Sequence, residues 1–276
     1  MGLPIAARLV EHGFAVTVVD PAVSPGVITA VGARPAVDAV GLACLSEVVI
    51  TVLPGRRELA ESMPSIIGAM TPGSLWLDLT SGDPLLTTEL AEQAGGRGIA
   101  AVSAPIGGGP AGAAAGALTF YLGGSDDRAI RILGALGTVE PAGTDPADGQ
   151  TVKLLANLLW FGQAVAVTEA MLLGQAAGLD PSNLRRLLAR SAGGSVFIDR
   201  HLDSLLAGDY LEDFGLGRVV EELDTLVGLA ERTGSPFELS GLVTRLHREA
   251  LERFGQVDGE LLVARLLELR AGRSLR

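Results

Sequence analysis

Val48-Val49-Ile50-Thr51-Val52-Leu53 is an unbroken run of apolar and β-branched residues, closed by Pro54. A strand with one wet face alternates polar and apolar side chains, so an uninterrupted run belongs to a strand covered on both faces. Neighbouring segments repeat the theme. Ala15-Val16-Thr17-Val18-Val19 ends in Asp20, after a helical period over 4–12 that Gly13 stops. Leu75-Trp76-Leu77-Asp78-Leu79 follows the turn Thr71-Pro72-Gly73. Helical patterns over 23–31, 57–70 and 85–94 lie between these runs, and further short strands are predicted at 99–104, 117–122 and 137–139. Buried strands alternating with helices predict an α/β fold built on a parallel sheet. From Gly149 onward only helices are evident, long ones, with breaks near 178–181, 193–194 and 234–236. The spacing therefore divides the chain into an α/β domain over 1–148 and an all-helical domain over 149–276.

Composition narrows the class of function. A chain of 276 residues reaches the length at which single cores give way to two domains. With 48% hydrophobic residues, 19% charged residues and a mean hydropathy of +0.39, it can bury a large core as a soluble protein. The longest apolar runs are interrupted by charge, as Asp38 and Glu47 interrupt 37–53, and no membrane-spanning helix is expected. A net charge of −11 supplies no basic stripe for phosphates, which argues against a nucleic-acid partner. The start of the chain lacks a basic region followed by a cleavable apolar segment. One cysteine, Cys44, allows no internal disulfide, so a cytoplasmic location is expected. Cys44 itself reads as a small buried hydrophobe. His12, His201 and His247 show no ligand spacing, so no metal is expected. The acids Asp203, Asp209, Glu212 and Asp213 read as a solvated surface, and Ser195 as a turn residue with no adjacent base.

In open parallel sheets the ligand binds beyond the carboxyl ends of the strands, so the residues that close each strand carry the functional reading. Asp20 falls 18 positions after Gly2, where a dinucleotide fold places the acid that accepts from the adenosine ribose. An ordinary strand-terminal Asp in a turn is the alternative. No Arg follows Asp20, so a 2′-phosphate would meet an uncompensated carboxylate, which points to NAD over NADP. Leu53-Pro54 and Thr80-Ser81 close the next two strands. Among 21 basic residues the only lysine is Lys153. Arginine stays charged, whereas lysine can surrender a proton in a desolvated setting. Asn157 follows four residues later, one helical turn along the same face. The pair reads as a proton donor with a hydrogen-bonding neighbour, or as a lysine that snorkels at the start of an amphipathic helix.

Taken together, Met1-Gly2-Leu3-Pro4, Asp20, Leu53-Pro54, Asp78-Leu79-Thr80-Ser81 with Pro84, Ser103-Ala104-Pro105-Ile106-Gly107-Gly108-Gly109, Gly116-Ala117-Leu118-Thr119, Gly123-Gly124 and the segment 149–157 resemble one family. It is that of the β-hydroxyacid dehydrogenases of the 3-hydroxyisobutyrate dehydrogenase type, and the likeness runs from residue 1 to about residue 260. The resemblance implies a Rossmann-like domain, a helical domain that forms a homodimer or homotetramer, and a cleft between them. It implies catalysis by Lys153 with Asn157, a carboxylated substrate on Gly107, Gly108 and Gly109, and a cofactor, NAD with NADP less favoured, against Gly2, Asp20, Leu53, Pro54, Thr80 and Ser81.

The chain departs from that pattern at three places. Gly2 matches the third glycine of the dinucleotide motif, and the first strand and two glycines, roughly ten residues, have no counterpart. The expectation is a start upstream of Met1 or a fragment, the alternative being weak dinucleotide binding. Gly107 stands where the family usually carries Ser. Glu221-Glu222 stands where it carries a Lys-Asp pair, and reads as a solvated helix face. The departures leave a second function open, a catalytically impaired relative that binds a ligand or a second subunit. An imine-reducing relative is a third, narrower option.

Overall fold

The computed structural model describes residues 1–212 and 214–276, and the side chains of residues 110 and 111 lie outside the description, as does the expectation for Asp213. The chain forms two compact units, Met1–Lys153 and Leu154–Arg276. In the first unit the elements run α1 (Gly2–Glu11), β1 (Thr17–Val18), α2 (Pro25–Ala30), β2 (Arg34–Pro35), α3 (Ala39–Leu45), β3 (Val48–Thr51), α4 (Arg56–Ala69), β4 (Leu75–Asp78) and α5 (Pro84–Gly95). They continue with β5 (Ala100–Ser103), β6 (Ile106–Gly107), α6 (Gly109–Ala115), β7 (Leu118–Gly123), α7 (Asp127–Gly134) and β8 (Gly137–Gly143). Helix α8 (Pro146–Ala176) starts here and runs on into the second unit.

The sheet of six strands has the order β3-β4-β5-β7-β6, with β8 on β7. Strand β4 sits between β3 and β5, parallel to both and in register Val48↔Leu75↔Ala100. Its four residues are all buried. Leu75 and Leu77 face a core that holds Ile5 and Leu9 of α1 and Ala129, Ile132 and Leu133 of α7. Trp76 faces the opposite core, with Leu59, Met63 and Ile67 of α4 and Leu86 and Leu90 of α5. The period of two in a strand thus sends alternate apolar side chains to two helical layers, which is why the sequence of β4 does not alternate.

Three expectations are corrected. The sheet is mixed: β7 runs antiparallel to β5 and β6, and parallel to β8. Strands β1 and β3 are not fully buried, with β1 exposed and half-buried and β3 alternating between half-buried and buried. Among the described residues β1 pairs only with β2 and β3 only with β4, so each keeps one unpaired edge. Cys44 is exposed, although its neighbour Ala43 is buried; the α3 helix turns it away from the core.

The second unit holds the rest of α8, then α9 (Pro181–Ala189), α10 (Val196–Arg200), α11 (Leu202–Ala207), α12 (Leu216–Thr233), α13 (Glu238–Phe254) and α14 (Leu262–Ala271). Phe161, Ala164, Val165, Met171 and Leu172 of α8 pack with Val219 and Leu223 of α12, Val243 and Ala250 of α13 and Val263 of α14. By length and composition α8 is long and apolar enough to cross a membrane, contrary to the expectation from the charge-interrupted apolar runs. Within this unit it is a core helix, and its buried side chains recur at the spacing that one helix face requires.

Candidate active site

Polar side chains converge at the carboxyl ends of the parallel strands. Asp78, the last residue of β4, is 1% exposed. Its Oδ1 accepts from the Thr51 hydroxyl at 2.7 Å and from the Thr80 backbone N–H at 3.0 Å. Thr51 in turn accepts from the Trp76 indole N–H at 3.0 Å. Burial pushes the Asp78 carboxyl up to about 6, against the pull of the Thr51 and Thr80 bonds, which favour the ionised form. The Leu53 N–H donates to Thr80 Oγ1 at 3.1 Å, so the Leu53-Pro54 and Thr80-Ser81 segments predicted to flank one ligand are held together. Gly2, at the head of α1, lies against the same strand end: a Cβ there would sit 4.0 Å from Val52 Cβ.

The first turns of α8 press on this layer. A Cβ on Gly149 would collide with the Tyr121 carbonyl oxygen, and one on Gly123 would come within 2.6 Å of the Asp145 carbonyl oxygen and the Gly149 nitrogen. Backbone therefore lies against backbone, a contact only glycine permits. Gln150, fully buried, follows at once. Its Oε1 accepts from the Gly82 N–H at 2.9 Å, and its Nε2 donates to the Thr80 carbonyl at 2.7 Å and to Ser103 Oγ at 2.9 Å, with Asp78 Oδ2 at 3.4 Å. Lys153 comes three residues later and is half-buried.

The glycine segment lies on the same unit. Gly107 pairs with Thr119, and a Cβ there would meet nothing closer than 3.6 Å, so the position has room for the Ser that the family pattern carries. Gly108 and Gly109 are exposed and take φ values of +109° and +62°, which side chains resist. Asp20 is exposed after β1, and its Oδ1 accepts from the Ala22 N–H at 2.8 Å, the geometry of an Asx turn. Arg56, which could pass for a phosphate clamp, pairs with Asp83 at 3.3 Å.

In the second unit Asn157 Nδ2 donates to Glu222 Oε2 at 2.6 Å. Glu222 is thus half-buried and engaged with a candidate site residue, which corrects its reading as part of a solvated face. Glu221 pairs with Arg218 at 2.7 Å. Ser195 caps α10 by accepting from the Ile198 N–H, as its turn setting implied. His247 is buried with its Nδ1 on the Val243 carbonyl, and desolvation lowers it to about 4. The described residues contain no cluster of three or more His, Cys, Asp or Glu that could hold a metal.

Asp78 and Gln150 lay within the motifs read from sequence but received no role. The available signal was an acid inside the apolar run of β4, which implies a buried carboxyl that must find donors.

An α/β unit with polar strand ends, followed by a helical unit, is the layout of an N-terminal Rossmann-like domain with a helical C-terminal domain. Comparison with known proteins agrees. Residues 1–140 match the NAD binding domain of 6-phosphogluconate dehydrogenase, and residues 147–267 match the NAD-binding domain of NADP-dependent 3-hydroxyisobutyrate dehydrogenase. The chain is 30% identical to the NAD-dependent L-serine dehydrogenase of Pseudomonas aeruginosa, over 92% of this chain and 90% of that one. It is 26% identical to the 2-(hydroxymethyl)glutarate dehydrogenase of Eubacterium barkeri, over 89% and 84%. Its fold resembles that of a Mycobacterium tuberculosis 3-hydroxyisobutyrate dehydrogenase solved with L-serine, at a TM-score of 0.86 and 23% identity over 97% of this chain and 95% of that one. The chain belongs to the 3-hydroxyisobutyrate dehydrogenase, or β-hydroxyacid dehydrogenase, family, whose members are NAD(P)-dependent oxidoreductases acting on CH–OH groups.

Proposed function

We propose that this protein interconverts a small 3-hydroxy acid and the corresponding semialdehyde or oxo acid, with Lys153 as general acid and base. The observation that carries this reading is that, in a member of a dehydrogenase family, the chain's one lysine follows Gln150 by one turn of α8, and Gln150 is bonded to the strand-end residues Thr80, Gly82 and Ser103. The cofactor, when bound, takes or gives a hydride at its nicotinamide ring. The strand ends fit such a ligand: Leu53-Pro54 and Thr80-Ser81 are tied together, Gly2 faces Val52, and the Asp20 carboxylate is exposed. Asp20 would hold the adenosine ribose, and its charge favours NAD over NADP.

Oxidation leaves the substrate hydroxyl with a proton to lose, which a neutral Lys153 amine takes as the carbonyl forms; the ammonium returns it in reduction. The Gly107–Gly108–Gly109 segment, exposed at Gly108 and Gly109, would carry the substrate carboxylate, since the missing Cβ atoms allow close approach. Asn157, its amide turned by the bond to Glu222, would orient the substrate hydroxyl. We place the subunit contact of a homodimer or homotetramer on the helical unit, where Leu159 and Leu173 of α8 are 67% and 72% exposed.

The test is turnover of 3-hydroxyisobutyrate, L-serine and 2-(hydroxymethyl)glutarate with NAD and with NADP, followed by reduced-nicotinamide absorbance. The reading expects turnover with NAD of at least one of them. Lack of turnover of every short 3-hydroxy acid by a folded protein that still binds NADH would favour the ligand-binding alternative.

A further inference from the structure

We propose that Gln150 is a positioning residue: one buried amide sets the placement of Lys153 relative to the Thr80-Ser81 segment, so that the proton-transferring group and the nicotinamide-side loop share one frame. The inference rests on the reading of Lys153 as general acid and base.

Gln150 has no contact with solvent, and its polar atoms are all engaged. A carboxamide offers two N–H donors at one end and an acceptor at the other. Here the oxygen meets an N–H, of Gly82, while the nitrogen meets a carbonyl, of Thr80, and the Ser103 hydroxyl. Reversing the amide would set N–H against N–H and C=O against C=O, so the side chain has one satisfied orientation. Burying an amide costs free energy that an apolar anchor would avoid, and that cost is offset only when every bond is made. Simple adhesion of α8 to the sheet is already provided by the close approach of Gly149 and Gly123. The fork of Gln150 adds directed bonds to that contact, because it is fixed at once to the end of β5 and to two points of the loop after β4. On an α-helix, positions 150 and 153 are near neighbours on one flank, so a rotation at Gln150 is passed directly to the lysine. Asp78 completes the frame from below, holding the Thr80 N–H while its second oxygen lies 3.4 Å from Gln150 Nε2.

A misplacement of about 1 Å at a reacting group can cost roughly 10²-fold in rate. The expectation for Gln150→Met, which keeps length and removes the fork, is therefore a fall in kcat of about 10–10²-fold with KM and the NADH dissociation constant close to wild type. In a K153A background Gln150→Met should cost nothing further, whereas a merely structural residue would depress both backgrounds alike. A second readout needs no turnover: reductive 13C-methylation labels the one lysine, and its methyl resonance should shift in Gln150→Met. If Gln150→Met fails to fold, Ser103→Ala, which removes one acceptor, should move the same resonance and kcat in the same direction by less. A folded Gln150→Met, or Ser103→Ala in its place, with wild-type kcat and an unmoved Lys153 resonance would overturn the proposal. An active K153A variant would instead overturn the role of Lys153 itself, which keeps the two failures distinct.

Discussion

Of the 21 lysine and arginine side chains Lys153 is the one able to give up a proton, since the other 20 are arginines that remain charged at any physiological pH. Replacing it with Ala should cost on the order of 10²–10⁴-fold in kcat while NADH affinity, read by calorimetry, holds. Lys153→Arg should be nearly as inactive, because the charge survives but a guanidinium does not give up its proton to become a neutral base. Asp20 closes a turn on Ala22 with one oxygen, and its carboxylate is exposed where the proposal puts the ribose. Asp20→Ala should narrow the NAD-over-NADP preference in kcat/KM by roughly tenfold, about 1.4 kcal/mol. An unchanged ratio would leave Asp20 with the turn alone. Lys153 stood out as a candidate because its residue type is unique in the chain, and Asp20 because its spacing from Gly2 has a mechanism. Gln150 was not legible, because its meaning lies in partners 47 to 70 positions away that only the folded sheet brings within reach. Glu222 was misread for the same reason, its partner Asn157 standing 65 positions earlier.

The strands that the apolar runs announced all form, and β4 behaves as an uninterrupted run should, buried on both faces between two neighbours. Strand direction was not legible: apolar content reports coverage of a face, whereas the antiparallel pairing of β7 depends on the return that β6 and α6 make through the Gly/Ala-rich segment. Helix α3 was also passed over, although Asp38 supplies its N-cap by accepting from the Gly41 N–H at 2.7 Å. At the junction of β7 with α8, two glycines are required by sterics. Gly149→Ala should destabilise by about 1–3 kcal/mol or more in thermal melting, since the new methyl meets the Tyr121 carbonyl. Gly107→Ser offers the contrast. Its Cβ has room, so stability should stay within about 0.5 kcal/mol of wild type.

The two units of the whole molecule carry buried titratable groups of opposite sense. In Met1–Lys153, the Asp78 carboxyl rises from 3.8 to about 6 on folding, so the fold favours its protonated form. That stabilisation is complete below the unfolded value and is lost as pH rises through about 6. In Leu154–Arg276, desolvation lowers His247 from 6.5 to about 4, so the fold favours the neutral ring; its contribution is present above the unfolded value and is lost as pH falls through about 4. Hydrogen exchange followed unit by unit should show that Asp78→Asn removes an acid-side gain in the first unit, while His247→Gln removes an acid-side loss in the second. The same slope in wild type and variant would contradict the assignment for that unit. The division into a sheet unit and a helical unit was visible in the sequence, because the hydrophobic period changes from strand-and-helix alternation to helix alone at the start of α8. The proposed function turns on the chemistry of Lys153, and one comparison tests it most directly: the steady-state kcat of wild type and Lys153→Ala on a 3-hydroxy acid with saturating NAD. The account predicts a loss of about 10²–10⁴-fold in a variant that folds and binds NADH as wild type does. Equal rates in the two proteins would contradict it.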